Sequence, residues 1–191
     1  MRLIRAAEHR VMPWKNGLGS TTEVAIHPAG ASLGDFDWRI SMASVTADGP
    51  FSVFAEIDRT LSVLNGAGIR LTVAGRQAEA LNQASAPYAF PGDAATSASL
   101  IDGPITDLNV MTRRGRVTHR VERLELATPV ERRADVTLTL VLCWRGAVFV
   151  EAGGEDARLD LFDSALFEAA TSIRLIPEAV SKVFWIEFQP G

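Results

Sequence analysis

Residues 60–75 read TLSVLNGAGIRLTVAG, and residues 138–153 read LTLVLCWRGAVFVEAG. A shift of 78 residues superimposes the two stretches, so that Gly68 coincides with Gly146, as do a second pair of glycines and several apolar residues. Each stretch is typical of a strand, a tight turn at the first glycine and a second strand. The repeat therefore predicts two related β units in tandem.

The rest of the chain also has the pattern of short strands. Residues 38–43, WRISMA, place Trp38 and Ile40 on one face of a strand and Arg39 and Ser41 on the other. Helical periodicity is scarce, which predicts an all-β fold of the sandwich or barrel kind. Further predicted strands are residues 22–27, 60–64, 69–73, 97–101, 107–111, 138–143, 147–151, 159–162 and 183–188.

The charged stretch 118–135 separates the two halves and is predicted to be a solvated connector. The predicted units are therefore residues 1–117 and 118–191, packed together rather than tethered. The polar candidates lie in the first unit, whereas strands 138–143 and 183–188 are largely apolar. We expect the first unit to hold a ligand pocket and the second to be structural.

Composition excludes several classes of function. The net charge of −4 lacks the basic excess of a nucleic-acid-binding protein, and the basic run 113–116 is interpreted as a solvated turn. No apolar run has the length of a signal peptide or a membrane span, which predicts a cytoplasmic protein without a membrane partner. The single cysteine, Cys143, lies in an apolar strand and is predicted to be a buried, unreactive thiol.

Metal and cofactor motifs are missing from the sequence. Its three histidines, His9, His27 and His119, are too few and too widely spaced for a metal-binding β-barrel. The sequence also lacks a nucleophile elbow, a Walker loop and a dinucleotide fingerprint. We therefore predict no metal and no cofactor.

Polar residues of the first half recur in ordered motifs, beginning with residues 14–23, WKNGLGSTTE. Inward-facing polar residues of a wide barrel contact a bound ligand, and arginine holds a carboxylate with a planar pair of hydrogen bonds. We expect Lys15 and Arg59 to hold carboxylates, with help from Arg39. The predicted ligand-binding residues are Trp14, Lys15, Asn16, Thr21, Thr22, Glu23, Arg39, Ser41, Phe51, Arg59, Asn109 and Met111, of which Trp14, Phe51 and Met111 form apolar walls.

The motif series resembles the HutD/Ves family. The motifs that carry the resemblance are WKNGLGSTTE, WRISMASV, GPFSVFAEIDR, FPGD and DLNVMTRR, in that order, over residues 10–116. The resemblance implies a bicupin, in which two cupin-like (RmlC-like jelly roll) β-barrel units form one chain. It also implies a modulatory role in histidine utilisation, with an anionic metabolite of the urocanate or N-formylglutamate type as ligand. The sequence departs from the family pattern at Leu18, where a glycine is usual.

Two alternatives stay open. One is a metal-independent cupin enzyme, an isomerase or hydrolase of a small carboxylate, in which Glu23, Asp93 or Asp107 with Lys15 moves a proton. The sequence favours binding over catalysis. The other alternative is an interaction module, which binds another pathway protein through the C-terminal barrel or forms a homodimer that covers exposed sheet edges. Trp144 and Trp185 are expected to pack in the core.

Overall fold

The computed structural model describes residues 1–14, 17 and 19–191. Lys15, Asn16 and Leu18, which the sequence singled out, lie outside these residues. Strands dominate the described chain, and its helical content is a single 3-10 turn at Ala6–Glu8. None of the helical structure found there has the length and apolarity needed to cross a membrane.

The strands of the described residues define the labels used below. In chain order they are β1 Arg2–Ile4, β2 Arg10–Pro13, β3 Gly19–His27, β4 Trp38–Val45, β5 Gly49–Pro50, β6 Ile57–Asn65, β7 Ile69–Val73, β8 Glu79–Leu81, β9 Tyr88–Pro91, β10 Thr96–Leu100, β11 Ile105–Arg113, β12 Val117–Leu126, β13 Val130–Ala134, β14 Leu138–Arg145, β15 Val148–Ala152, β16 Glu155–Leu159, β17 Ser164–Phe167, β18 Thr171–Pro177 and β19 Ser181–Pro190.

The chain divides into two compact units. The N-terminal unit spans Arg10–Thr118, and the C-terminal unit combines Met1–His9 with His119–Gly191. This division differs from the predicted one in the first nine residues, because β1 pairs antiparallel with β17. The N-terminal ammonium of Met1 also contacts Glu155 at 2.6 Å.

The N-terminal unit contains a larger antiparallel sheet of order β2-β3-β4-β11-β6-β9 and a smaller one of order β5-β10-β7-β8. Alternation along the strands turns one face of the larger sheet toward the interior of this unit. Part of that interior is an apolar cluster that includes Leu61, Val63, Leu71 and Phe90. The remainder of the inward face carries the polar residues described below.

The C-terminal unit repeats this arrangement. Its sheets have the orders β1-β17-β14-β19-β12 and β13-β18-β15-β16. Its core contains Val141, Val150, Phe167 and Trp185, all buried. Cys143 belongs to the same core, and burial raises the pKa of its thiol to about 11, so the predicted unreactive thiol is consistent with its setting.

Strand pairing confirms the 78-residue repeat as a repeat of topology. In the N-terminal unit β6 pairs with β11 and β9, and β7 pairs with β10 and β8. In the C-terminal unit β14 pairs with β19 and β17, and β15 pairs with β18 and β16. Gly68 and Gly146, which coincide in the repeat, both have positive φ in the turns that join β6 to β7 and β14 to β15.

Two elements of the sequence prediction are wrong. Residues 118–135 are not a connector, because β12 and β13 occupy most of them. Charge misled the prediction, since β13 alternates exposed charged residues with apolar ones that pack on the core, Val130 and Ala134. The predicted strand 159–162 is also absent from the described structure: β16 ends at Leu159, and a turn follows in which Phe162 has a φ of 67°.

Candidate functional site

A cavity of about 430 Å³ lies in the N-terminal unit, between the inward face of the larger sheet and the segment 47–54. Its walls combine aromatic and small apolar side chains with a few polar ones, which is the usual composition of a small-molecule site. The lining includes these members of the predicted set: Trp14, Thr21, Arg39, Ser41, Phe51, Arg59, Asn109 and Met111.

Strand register explains why residues distant in sequence meet here. Met111 of β11 stands between Arg39 of β4 and Arg59 of β6 in adjacent register positions. Two residues along β11, Asn109 stands opposite Ser41 of β4. Because every second residue of a strand shares a face, these side chains all point into the cavity.

Arg59 is as deeply buried as Arg39, with 4% of its surface exposed, and three aromatic rings surround its guanidinium group. Its guanidinium carbon lies 5.0 Å from the ring centre of Phe51, 5.7 Å from that of Phe54 and 5.1 Å from that of Phe90. Contacts of this kind contribute about 0.5–2 kcal/mol each. The three rings surround the guanidinium group and shield it from water.

The hydrogen bonds of Arg59 within the described residues involve both Nη atoms but not Nε. Nη2 donates to Asn109 Oδ1 at 2.6 Å, and Nη1 donates to the carbonyl oxygen of Ser52 at 3.4 Å. Nε is buried and has no acceptor among the described residues. Burial, with a smaller effect from Arg39, lowers the pKa of Arg59 to about 10 against the opposing effect of Asp107. Arg59 therefore stays charged at neutral pH and has unused hydrogen-bonding capacity.

Asp107 is the fully buried acid of the cavity, with 0% of its surface exposed. Oδ1 accepts a hydrogen bond from Asn109 Nδ2 at 2.5 Å, whereas Oδ2 has no partner within the described part of the chain. Burial raises the pKa of Asp107 to about 7, because the opposing effects of Arg59 and Asn109 are smaller. This carboxyl group thus titrates near neutral pH.

Arg39 forms a second polar centre. Its Nε donates to Glu23 Oε2 at 2.8 Å, and its Nη1 lies 3.5 Å from Ser41 Oγ. Both partners of the ion pair are largely buried, with side-chain exposures of 5% for Arg39 and 17% for Glu23. Glu23 thus neutralises Arg39, so the predicted ligand-binding role of Glu23 becomes that of a partner to a cavity residue.

The chain enters the site at Trp14, whose indole Nε1 donates to Thr21 Oγ1 at 2.8 Å. Close packing on Gly19 sets the position of this ring. A Cβ atom at residue 19 would lie 2.2 Å from the carbonyl oxygen of Ser44 and 2.9 Å from the ring of Trp14. A residue larger than glycine does not fit at position 19 unless the backbone near Ser44 or the ring of Trp14 moves.

Two residues of the FPGD motif, Gly92 and Asp93, are not part of the cavity lining. Asp93 accepts two hydrogen bonds from the guanidinium of Arg114, at 2.7 and 2.9 Å, which lower the pKa of Asp93 to about 2. Gly92 lies beside Arg59, since a Cβ there would be 3.2 Å from Arg59 Cγ. Asp93, a predicted candidate for proton transfer, is thus an exposed partner of Arg114 and does not line the cavity.

The remaining predicted residues divide into two groups. Thr22 lies opposite Met42 on the other face of β3 from Thr21, and it does not belong to the described lining. Lys15 and Asn16 lie outside the described residues, so their predicted contacts stay predictions. Glu23 does not line the cavity itself, and its carboxylate is connected to the site through Arg39.

Sequence reasoning did not include several lining residues among the ligand-binding set. These are mainly Asp107, considered there for proton transfer, and the segment that contains Asp48, Pro50, Ser52 and Phe54. The i, i+2 spacing of Asp107, Asn109 and Met111 was the available signal for Asp107, because it places all three on one face of a strand. The segment has no periodic pattern, so its approach to the cavity follows from tertiary packing.

The donor set gives no indication of a metal centre. Within residues 1–14, 17 and 19–191, no group of three or more His, Cys, Asp or Glu side chains is arranged to hold a metal ion. The polar side chains that line the cavity supply two guanidinium groups, an amide, hydroxyl groups and two carboxyl groups, those of Asp48 and Asp107. Such groups suit recognition of an anion by hydrogen bonds.

Comparison with known proteins gives relatives that match most of the chain. A protein described as an uncharacterised 21.2 kDa protein in the hutC 3' region of Pseudomonas putida is 34% identical over 171 residues, covering 88% of this chain and 87% of its own. Protein Ves of Citrobacter koseri is 35% identical over 148 residues, covering 75% of this chain and 71% of its own.

Solved structures agree with these relatives. A conserved protein of unknown function from Pseudomonas aeruginosa has a TM-score of 0.91 at 32% identity and covers 98% of both chains. HutD from Pseudomonas fluorescens has a TM-score of 0.83 at 32% identity, covering 100% of this chain and 98% of its own. More distant, cupin-like neighbours share the fold, among them salicylate 1,2-dioxygenase of Pseudoaminobacter salicylatoxidans at a TM-score of 0.61 and 10% identity, covering 93% of this chain and 76% of its own.

The HutD family model matches residues 6–185, which include the whole N-terminal unit, most of the C-terminal unit and every described residue of the cavity. The chain belongs to the HutD family.

Proposed function

We propose that this protein acts in histidine utilisation by binding a small anionic metabolite in the cavity of its N-terminal unit, and that the bound state modulates the pathway. Family membership and the hutC-region relative of Pseudomonas putida support the pathway. The arginine side chains that line the cavity support a small anion as the ligand. Urocanate and N-formylglutamate are the candidate ligands.

One observation carries the proposal. Arg59 is a buried cation whose Nε lacks an acceptor among the described residues, and it lies on the wall of a cavity of about 430 Å³. Leaving a charged donor unsatisfied in a buried place is costly, whereas a carboxylate supplies both the acceptor and the counter-charge. The aromatic rings around Arg59 shield that interaction from water, which strengthens it.

The proposal extends to architecture and location. We propose that each unit is a cupin-like (RmlC-like jelly roll) barrel, so that the chain is a bicupin; the matching strand order of the two units supports this. We also place the protein in the cytoplasm, where a free thiol such as Cys143 stays reduced. A homodimer covering exposed sheet edges is a further part of the proposal, and light scattering measures it directly.

Calorimetric titration with urocanate and with N-formylglutamate tests the ligand class. We expect saturable binding by the wild-type protein and a loss of about 10–100-fold in affinity for Arg59→Lys, because the point charge of lysine replaces a planar donor pair. Arg59→Met should lose more, since it removes the charge. Arg70→Ala, an exposed arginine of β7, is the matched control and should bind as the wild type does. If neither metabolite gives a heat of binding, the proposal is wrong.

A second candidate function follows from Asp107. A cavity carboxyl group with a pKa of about 7 suits general acid–base catalysis, so the alternative is a metal-independent enzyme acting on the same metabolites. Incubation of the protein with each metabolite, followed by NMR, distinguishes the two functions. Turnover that Asp107→Asn abolishes would establish the enzyme, whereas unchanged metabolite beside saturable binding supports the binding protein.

A further inference from the structure

Asn109 connects the carboxyl group of Asp107 to the guanidinium group of Arg59, and the three side chains form an acid–cation cluster. The amide of Asn109 accepts from Arg59 Nη2 at 2.6 Å and donates to Asp107 Oδ1 at 2.5 Å. Its two ends are therefore assigned, with the oxygen toward the cation and the nitrogen toward the acid. Neither Arg59 Nε nor Asp107 Oδ2 has a hydrogen-bond partner in the described chain, so the acid–cation cluster lacks partners for one donor and one acceptor.

The other charged groups described near Asp107 do not supply the missing partners of this acid–cation cluster. On β4, Arg39 is held by Glu23 of β3 at 2.8 Å. In the segment after β4, Asp48 is exposed and accepts a hydrogen bond from the backbone N–H of Leu100 at 2.7 Å. On β6, Arg59 is the facing cation, and on β4 and β6 the register neighbours of Asp107 are Ala43 and Val63. Within the described residues, Arg59 is thus the charge that balances Asp107.

A carboxylate that binds Arg59 competes with Asp107 for this cation. Two carboxylates and one guanidinium in a site shielded from water leave an excess negative charge. The repulsion between the two carboxylates falls when one of them binds a proton. Asp107 is the group suited to accept it, because it is fully buried and its Oδ2 accepts no hydrogen bond from the residues that the structure describes.

We propose that the cavity takes up its anionic ligand together with one proton, which Asp107 binds at Oδ2. The inference rests on the proposed function and adds the proton as a second ligand of the same site. The proton comes from solvent, and no covalent bond to the metabolite forms or breaks. Protonation leaves the Asn109 bridge intact, because Oδ1 continues to accept from the amide.

The pKa of free Asp107, about 7, sets the pH range in which the coupling appears. Below pH 7 the acid already holds its proton, so binding takes up little and the affinity is flat. Above pH 7 each binding event must also bind a proton, and the affinity falls by a factor that approaches tenfold per pH unit. Asp107→Asn mimics the protonated acid and should bind with an affinity that is independent of pH.

Titration calorimetry in two buffers of different ionisation enthalpy counts the protons. With N-formylglutamate as probe at pH 8, we expect uptake of close to one proton per ligand bound, because neither carboxyl group of this probe titrates there. Asp107→Asn should take up none. Asp58→Asn is the matched control, since Asp58 is an exposed acid of β6 paired with Arg114, and it should behave as the wild type does. Urocanate is the second probe, with its own imidazole titration measured separately.

The outcomes separate the two proposals. Proton uptake that disappears in Asp107→Asn supports the inference, and so does an upward move of the Asp107 carboxyl titration, seen by ¹³C NMR, when the probe saturates the protein. Binding without proton uptake, or a pH dependence that survives in Asp107→Asn, overturns the inference and leaves the proposed function standing. No binding of either probe at pH 6 to the wild type or Asp107→Asn overturns both.

Discussion

At the scale of single residues, the site depends on polar groups that the surrounding strands keep buried. Burial moves the pKa values of Arg59 and Asp107 in opposite directions, to about 10 and about 7, because it penalises the charged form of each. Charged Arg59 and ionised Asp107 therefore depend on each other. The same enclosure makes the cavity sensitive to small changes of volume, as at Gly19.

The pH dependence of stability reports the ionisation of Asp107. Its pKa is raised from 3.8 to about 7, so between these values the folded protein holds a proton that the unfolded chain has released. The free energy of unfolding should therefore fall as the pH rises from 4 to 7, by an amount on the order of 4 kcal/mol at most, and this contribution should stay constant above pH 7. Urea denaturation at a series of pH values measures it.

Asp107→Asn should remove this part of the pH dependence. Relative to the wild type, the variant should become more stable by a few kcal/mol between pH 4 and pH 8. Asp58→Asn, which changes an exposed acid of the neighbouring strand β6, should leave the slope unchanged. A wild-type slope retained in Asp107→Asn would contradict the assignment of the titration to Asp107.

Gly19→Ala tests the close packing at Trp14. The added Cβ would lie 2.2 Å from a backbone oxygen of β4, so strand β3 or the Trp14 ring must move. We expect a loss of about 2–3 kcal/mol in the free energy of unfolding and a shifted indole N–H signal of Trp14, which now bonds Thr21. Gly49→Ala, where the Cβ meets nothing within 4 Å, is the control. Equal stability of the two variants would show that residue 19 has room.

At the scale of elements, the N-terminal residues stabilise the C-terminal unit. β1 pairs with β17, and just after β1 the guanidinium of Arg5 donates to Asp163 at 2.7 Å. Asp163 also accepts from the backbone N–H of Ala6 at 2.8 Å. Burial raises the pKa of Asp163, but these hydrogen bonds outweigh it and the pKa is lowered overall. The stabilising effect of this acid is therefore present above its ordinary pKa and is lost as the pH falls.

Asp163→Ala should detach this segment. It leaves the Ala6 N–H and the Arg5 guanidinium without their acceptor, which should cost about 2–3 kcal/mol at pH 7. Hydrogen exchange should accelerate at β1 and β17 and change less at β15. Asp160→Ala is the control, because this more exposed acid pairs with Arg158 in the same turn. Unchanged exchange at β1 would show that strand pairing alone holds the segment.

At the scale of the whole molecule, two units of the same topology differ in what fills their interiors. The shift of 78 residues carries Asp107 to Trp185, and strand pairing agrees, since Asp107 pairs with Val63 and Trp185 pairs with Val141. The indole of Trp185 is 1% exposed and donates to Glu187, the counterpart of Asn109, at 2.9 Å. An aromatic ring thus occupies in the C-terminal unit the position that a cavity acid has in the N-terminal one.

Ligand protection should therefore be confined to the N-terminal unit. With saturating urocanate, hydrogen exchange should slow in peptides that cover residues 39–45, 47–54 and 105–113. Peptides from residues 138–151 and 181–190 should exchange as in the free protein. Arg59→Met with the same probe is the control and should show no protection. Comparable protection of the C-terminal peptides would place a second site there.

The sequence by itself determined the all-β class, the repeat and the shared face of Arg39 and Ser41, because alternation and glycine turns are local properties of the chain. It also indicated Arg59, Asn109 and Met111 through their motifs. It misassigned residues 118–135, because charge on one face of a strand conceals the apolar face. Tertiary structure alone decided the ion pair of Glu23 with Arg39, the unpartnered oxygen of Asp107 and the pairing of β1 with β17. These features depend on which strands become neighbours and how deeply each group is buried, which local sequence does not encode.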